Sequence, residues 1–139
     1  MLAPHTLAVY DNLDRLLEAG TFSSVPSAVT MTSTDRLSYA RMSYGQRGMP
    51  YRAETALDAS QSSPSFLSSN FWYDTAGRVA AQTQPNSPIT KVRYNAHGRA
   101  IEAYFTDAGS DPAPGASGSY AASVAALGST AFLTGDVVL

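Results

Sequence analysis

Residues 73 to 79 read YDTAGRV, and residues 94 to 100 read YNAHGRA. The shared pattern is Tyr, then Asp or Asn, two free positions, Gly and Arg, repeated 21 positions apart. A recurring pattern constrains a fold strongly, because each copy must form the same small unit and pack against the next. YDNLDR (10–15) is a third copy, with Asp14 where Gly is expected. YGQRGM (44–49) is the weakest: Gly48 keeps its place, Gly45 replaces the Asp and Met49 replaces the Arg. The four tyrosines, Tyr10, Tyr44, Tyr73 and Tyr94, are spaced 34, 29 and 21 residues apart.

Residues alternate around each copy. In ITKVRYNAHGRAIEAYF, Val92 and Tyr94 share one face before the motif; Ala100, Glu102 and Tyr104 share one face after it. In SNFWYDTAGRVAAQT, Phe71 and Tyr73 alternate with Trp72. Period-two patterning on both sides of a turn signal predicts a β-hairpin. The strands are expected near 5–10, 15–22, 36–44, 50–57, 66–73, 78–84, 89–94 and 99–106. The fold class is therefore all-β: consecutive antiparallel hairpins forming an extended twisted sheet.

The motif itself reads as turn chemistry. A common three-residue hairpin loop is a type I turn followed by a left-handed residue that forms a bulge. Asp11, Asp74 and Asn95 would start the turn and accept a bond from the backbone two residues on. Gly48, Gly77 and Gly98 would take the positive φ that costs other residues about 1–2 kcal/mol. Asp is among the few residues that reach this region with ease, which accommodates Asp14. Arg15, Arg78 and Arg99 would start the return strand. The tyrosine ring would lie over the hairpin with its hydroxyl free to reach outward. The Tyr44 copy keeps the turn but loses the side-chain bond and the charge.

Breaks fall at SSVPSA (23–28), DASQSSPS (58–65) and DAGSDPAPGASGS (107–119). The chain is thus expected to divide into a hairpin region at 1–106, a Gly/Pro/Ser-rich linker at 107–119 and a final segment at 120–139. In that segment YAASVAALG could form a short helix near 120–127, ending at Gly128. The closing AFLTGDVVL reads as an unpaired strand.

Composition narrows the function classes. Charged residues make up only 14% of the 139 residues, and the 9 Lys and Arg are scattered, with a net charge of −2. A nucleic-acid surface needs a basic cluster to neutralise phosphates, and none is visible. No Cys is present, which removes disulfides, thiolate metal sites and cysteine nucleophiles. No run approaches the ~18 apolar residues of a membrane span. The first residues, MLAPHTLAVYD, lack a basic segment followed by an apolar stretch, so no signal peptide is read there. His5 and His97 are far apart and in no ligand spacing, and no nucleophile elbow or phosphate loop stands out. No catalytic residue, metal or cofactor is expected.

YDTAGRV, YNAHGRA and YDNLDRL resemble the YD repeats of Rhs-type proteins, the bacterial relatives of teneurins. With their flanking strands the copies cover roughly residues 5 to 106. The resemblance implies a strip of linked hairpins that, in toxin-associated members, closes as a shell, and that in teneurins belongs to a cell-surface adhesion protein. It implies an extracellular or cell-surface setting, and a chain that is a fragment of a larger YD-repeat protein. DPAPG (111–115) resembles the Asp-Pro motifs near the self-cleavage site of toxin-carrying relatives, though its surroundings read as linker.

The expected role is structural. Neighbouring repeats, or other copies joined through sheet edges, would be the partners. The repeat tyrosines and Trp72 could instead form a sugar-stacking surface. In that alternative, a carbohydrate-binding module, Trp72 and Tyr73 would contact the glycan. Packing is the commoner fate of strand aromatics. The arginines could hold an anion, but pairing with Asp11 or Asp74 is the simpler use.

Overall fold

A computed structural model describes residues 3–26, 31–32, 34–45, 47–106 and 137–138. Alternating sequence becomes strand wherever it was expected. The strands are β1 (His5–Tyr10), β2 (Leu16–Phe22), β3 (Arg36–Tyr44), β4 (Pro50–Ala56), β5 (Phe66–Tyr73), β6 (Val79–Thr83), β7 (Ile89–Tyr94) and β8 (Ala100–Thr106). A two-residue β9 (Val137–Val138) follows. They form an open antiparallel sheet in which strand order equals chain order, with no crossover. The all-β expectation holds, and no helix occurs among the described residues.

β9 pairs with β8, placing Tyr104 opposite Val138 and Phe105 opposite Val137. This corrects the expectation of an unpaired C-terminal strand, since the free edge of β8 offers two Val residues a ladder to join. The expected linker at 107–119 and the expected short helix near 120–127 lie outside the described residues.

Packing divides the chain into two compact units. The first comprises Met1–Ser43 and Ala53–Ser68, the second Tyr44–Arg52 and Ser69–Leu139. In the first unit, Phe22 and Tyr39 are buried, and the Tyr39 ring meets Phe66 edge-on at 5.6 Å between centroids. Arg36 is buried too. Its guanidinium lies 4.1 Å from the centre of the Tyr39 ring and donates to the carbonyls of Met31, Ala59 and Gln61. A buried charge is tolerable when its donors are this fully used. One Arg thus pins two loops to β3.

In the second unit the core is Trp72, Ala81 and Ile89. Trp72 faces Ala81 across the β5–β6 pair, and Ala81 faces Lys91 across β6–β7. A small residue between large ones leaves room for the indole. The buried polar residues beside this core are satisfied in rungs. Asn70 accepts from Arg52 Nε at 3.0 Å and donates to Thr83 Oγ1 at 3.2 Å. A matching rung in the first unit joins Arg41, Glu54 and Ser68, with Glu54 taking Arg41 Nε at 2.6 Å and Ser68 Oγ at 3.1 Å.

Candidate functional site: the repeated turn and its neighbour

All four motif copies close the same loop. In the third, the Gly77 N–H donates to the Asp74 carbonyl at 3.0 Å and the Asp74 N–H to the Arg78 carbonyl at 2.9 Å. The fourth repeats this with Gly98, Asn95 and Arg99, at 3.0 and 2.9 Å. In the first, Asp14 donates to Asp11 and Asp11 to Arg15; in the second, Gly48 donates to Gly45 and Gly45 to Met49. The fifth motif position has φ of +57° (Asp14), +75° (Gly48), +83° (Gly77) and +79° (Gly98). This is the three-residue turn with a left-handed bulge that the sequence predicted.

The side chains at the second motif position behave as expected. Asp74 Oδ1 accepts from the N–H groups of Ala76 and Arg78, both at 2.9 Å. Asn95 Oδ1 accepts from His97 and Arg99, both at 3.0 Å, and Asp11 Oδ1 from Leu13 and Arg15 at 2.8 and 3.0 Å. The second carboxylate oxygen then holds the arginine. Arg78 Nε and Nη2 each reach Asp74 Oδ2 at 2.6 Å, and Arg15 does the same to Asp11 at 2.7 and 2.6 Å. The Arg15 side chain, aided by backbone donors, holds the Asp11 carboxyl below its ordinary value. Burial pushes Asp74 upward, but the backbone and guanidinium bonds from Arg78 outweigh it, and its carboxyl also sits low. Arg99 faces Asn95 and has no carboxylate partner among the described residues.

The tyrosines depart from expectation, because their hydroxyls do not point freely outward. Tyr73 Oη donates to the Pro50 carbonyl at 2.6 Å, and Tyr94 Oη to the Val79 carbonyl at 2.9 Å. Pro50 and Val79 hold the same place: each is the residue six positions after the tyrosine of the preceding motif. A buried ring with a polar tip needs such an acceptor. Each tyrosine therefore bolts its hairpin to the one before.

The sixth motif position reaches the next turn in the other direction. The Arg78 guanidinium lies over the Tyr94 ring at 4.4 Å, and a Cβ added to Gly98 would meet Arg78 Nη1 at 3.2 Å. Met49 stands in the same relation to the third turn, 3.6 Å from where a Gly77 Cβ would be. Arg47 adds bonds to the carbonyls of Asp74 and Thr75 at 3.3 and 3.1 Å. The glycines thus have two duties, positive φ and room for the neighbour's side chain.

A second bulge went unforeseen. Tyr10 faces Leu16 while Val9 faces Glu18; Tyr73 faces Val79 while Trp72 faces Ala81; Tyr94 faces Ala100 while Arg93 faces Glu102. The return strand carries one extra residue each time: Leu17, Ala80 or Ile101. Extra residues sharpen the local twist and re-aim side chains. On the bulged strand Ala80 and Ala81, adjacent in sequence, are both buried, and so are Trp72 and Tyr73 on the facing strand. Alternation alone carried no signal of it.

The sugar contacts of the alternative reading are covered. Trp72 is 2% exposed and Tyr73 7%. Stacking on a sugar needs an open ring face, which neither offers. His97 sits exposed in its turn, and no group of three or more potential metal ligands occurs among the described residues. An open groove of about 260 Å³ lies along Gln82, Gln84, Ser87, Pro88, Thr90 and Phe105, and its lining has no titratable side chain. No described helix is long and apolar enough to cross a membrane. No protein-family model matches the chain, and a search of curated proteins finds no match.

Proposed function

We propose that the chain is a structural β-repeat segment of an Rhs-like secreted or cell-surface protein, with no catalysis of its own. One observation carries this reading: the motif residues are spent on joining one hairpin to the next. Tyr94 and Arg78 clasp each other across the third and fourth hairpins, and Tyr73 does the same for the carbonyl of Pro50. A catalytic or recognition motif would present such groups to solvent. The motif likeness to YD repeats supports the same reading, and neighbouring repeats of a parent protein are the partners it implies.

In a protein of this kind each unit is stabilised by its neighbour. Shortening the chain to residues 1–84 removes β7, β8 and β9, and with them Ile89 and Tyr94. The thermal midpoint of what remains should fall by several degrees. An unchanged midpoint would mean that the hairpins stand alone. A glycan array should give no signal, and hydrolase substrates no turnover. Turnover abolished by His97→Ala would replace this reading with an enzymatic one.

A further inference from the structure

We infer that the open groove across β6, β7 and β8 binds an uncharged, proline-rich peptide in the polyproline II conformation. The inference goes beyond the structural reading, because the groove is lined by none of the motif residues.

The strands build the groove in a row. Gln82 lies between buried Ala81 and Thr83, and Thr90 between buried Ile89 and Lys91. Alternation therefore turns Gln82 and Thr90 to the opposite face of the sheet. Gln82 stands opposite Thr90, and Thr90 opposite Phe105, so the three form one line across three strands. The β6–β7 connection adds a wall. The Ser87 N–H donates to the Gln84 carbonyl at 3.1 Å, with Pro85 and left-handed Asn86 (φ +58°) between them, the pattern of a type II turn. Gln84, Ser87 and Pro88 then complete a lining around about 260 Å³.

The chemistry of the lining selects the ligand. No lining residue carries a charge, so the groove offers nothing to an ion. Gln82, Gln84, Ser87 and Thr90 supply amide and hydroxyl donors, and none of these side chains is spent on a hydrogen bond among the described residues. The Phe105 ring stays 38% exposed although Val137 pairs beside it, and the Pro88 ring is exposed as well. Donors beside flat apolar rings match a ligand made of acceptors and flat apolar rings. Polyproline II is such a chain: its carbonyls make no internal hydrogen bonds, and proline brings no N–H to satisfy. A neutral sugar fits less well, because its hydroxyls also donate and the groove has no carboxylate to accept from them.

The spacing agrees. Neighbouring strands lie about 4.8 Å apart, so the row from Gln82 to Phe105 spans about 10 Å. One turn of polyproline II rises about 9 Å over three residues. A peptide laid across the strands thus sets one residue on Phe105 and the residue one turn away at Gln82, with the carbonyls between them near Thr90. Aromatic-lined grooves recognise proline-rich segments in this way, at low ordering cost because the helix is preformed.

Titrating the isotope-labelled full chain with a short blocked polyproline peptide, followed by amide NMR, tests this. Shifts should be confined to the groove residues and should saturate, with an affinity that added salt leaves unchanged. A Gly/Ser peptide of equal length, flexible rather than preformed, should bind about tenfold more weakly. Gln82→Ala and Thr90→Ala, each checked for an unchanged thermal midpoint, should each weaken binding by about three- to tenfold, the worth of one hydrogen bond. Phe105→Leu keeps an apolar side chain on the strand and should weaken it too. The absence of a saturable shift overturns the inference. So do shifts away from the groove, an affinity that none of the three variants lowers, equal binding of the Gly/Ser peptide, or a neutral disaccharide that shifts the groove residues where the peptide does not. The repeat reading is judged separately, by the midpoint of the shortened chain.

Discussion

The second and third turns differ in most of their side chains yet close with the same backbone bonds. YGQRGM and YDTAGR make the same two closing bonds, within 0.1 Å of each other, and both put a left-handed Gly at the fifth position. Yet Gly45 has no side chain to accept from the turn, while Asp74 accepts four bonds, two from backbone N–H groups and two from Arg78. The loop shape is thus set by the residue that can adopt positive φ. The Asp and Arg reinforce a shape that exists without them. Met49 adds a second lesson: it keeps the place of Arg78 against the neighbouring Gly while giving up the charge.

The largest test of this division is Asp74→Ala. It strips the third turn down to the second and should cost about 2–3 kcal/mol in urea unfolding, from two lost backbone bonds and a partly exposed ion pair. A cost near zero would mean that the carboxylate is ornamental. Next come Gly48→Val and Gly77→Val, each expected to cost about 1–2 kcal/mol through positive φ. The two should be alike although their turns differ in side chains. If only one hurts, loop shape is not set at that position.

The reverse graft should help. Gly45 is not among the residues with positive φ, so Gly45→Asp suits its backbone and should gain about 0.5–1 kcal/mol by accepting from the N–H groups of Arg47 and Met49. A loss would show that the second turn excludes the cap it lacks. The smallest effect is in acid. Asp11 and Asp74 are held below the ordinary Asp value of 3.8, so their contribution is complete above it and is lost as pH falls through the lower folded-state values. Asp74→Asn copies the fourth turn, keeping the two turn bonds, and its thermal midpoint should fall less steeply with acid than that of wild type. Equal slopes would remove Asp74 from the acid response.

Local features were legible in the sequence. All eight predicted strands appear within a residue of their expected ends, because alternation and turn chemistry are written in neighbouring positions. Asp14 in the left-handed region and the bare second turn were readable for the same reason. What stayed hidden depends on partners far along the chain. Arg36 is an unremarkable strand residue until a loop 23 to 25 residues onward turns its carbonyls toward it. The tyrosine hydroxyls were read as outward-facing because their acceptors are main-chain carbonyls, which no side-chain pattern marks. The return-strand bulges at Leu17, Ala80 and Ile101 also leave alternation intact on paper while re-aiming the side chains. Trp72 and Tyr73, the sugar contacts of the alternative reading, are covered, the fate that packing of strand aromatics anticipated.

The central claim is that motif residues of one hairpin hold the next. A double-mutant cycle on Arg78→Met and Tyr94→Leu addresses it directly. Arg78→Met reproduces the residue of the second turn and Tyr94→Leu removes the ring and hydroxyl, and the cycle cancels what each loses within its own turn. Unfolding free energies of the four proteins should give a favourable coupling of about 0.5–1 kcal/mol, the size of a cation–π contact near a surface. Strictly additive effects would mean that the two side chains act only within their own hairpins, and the account of the motif as a joint between repeats would be wrong.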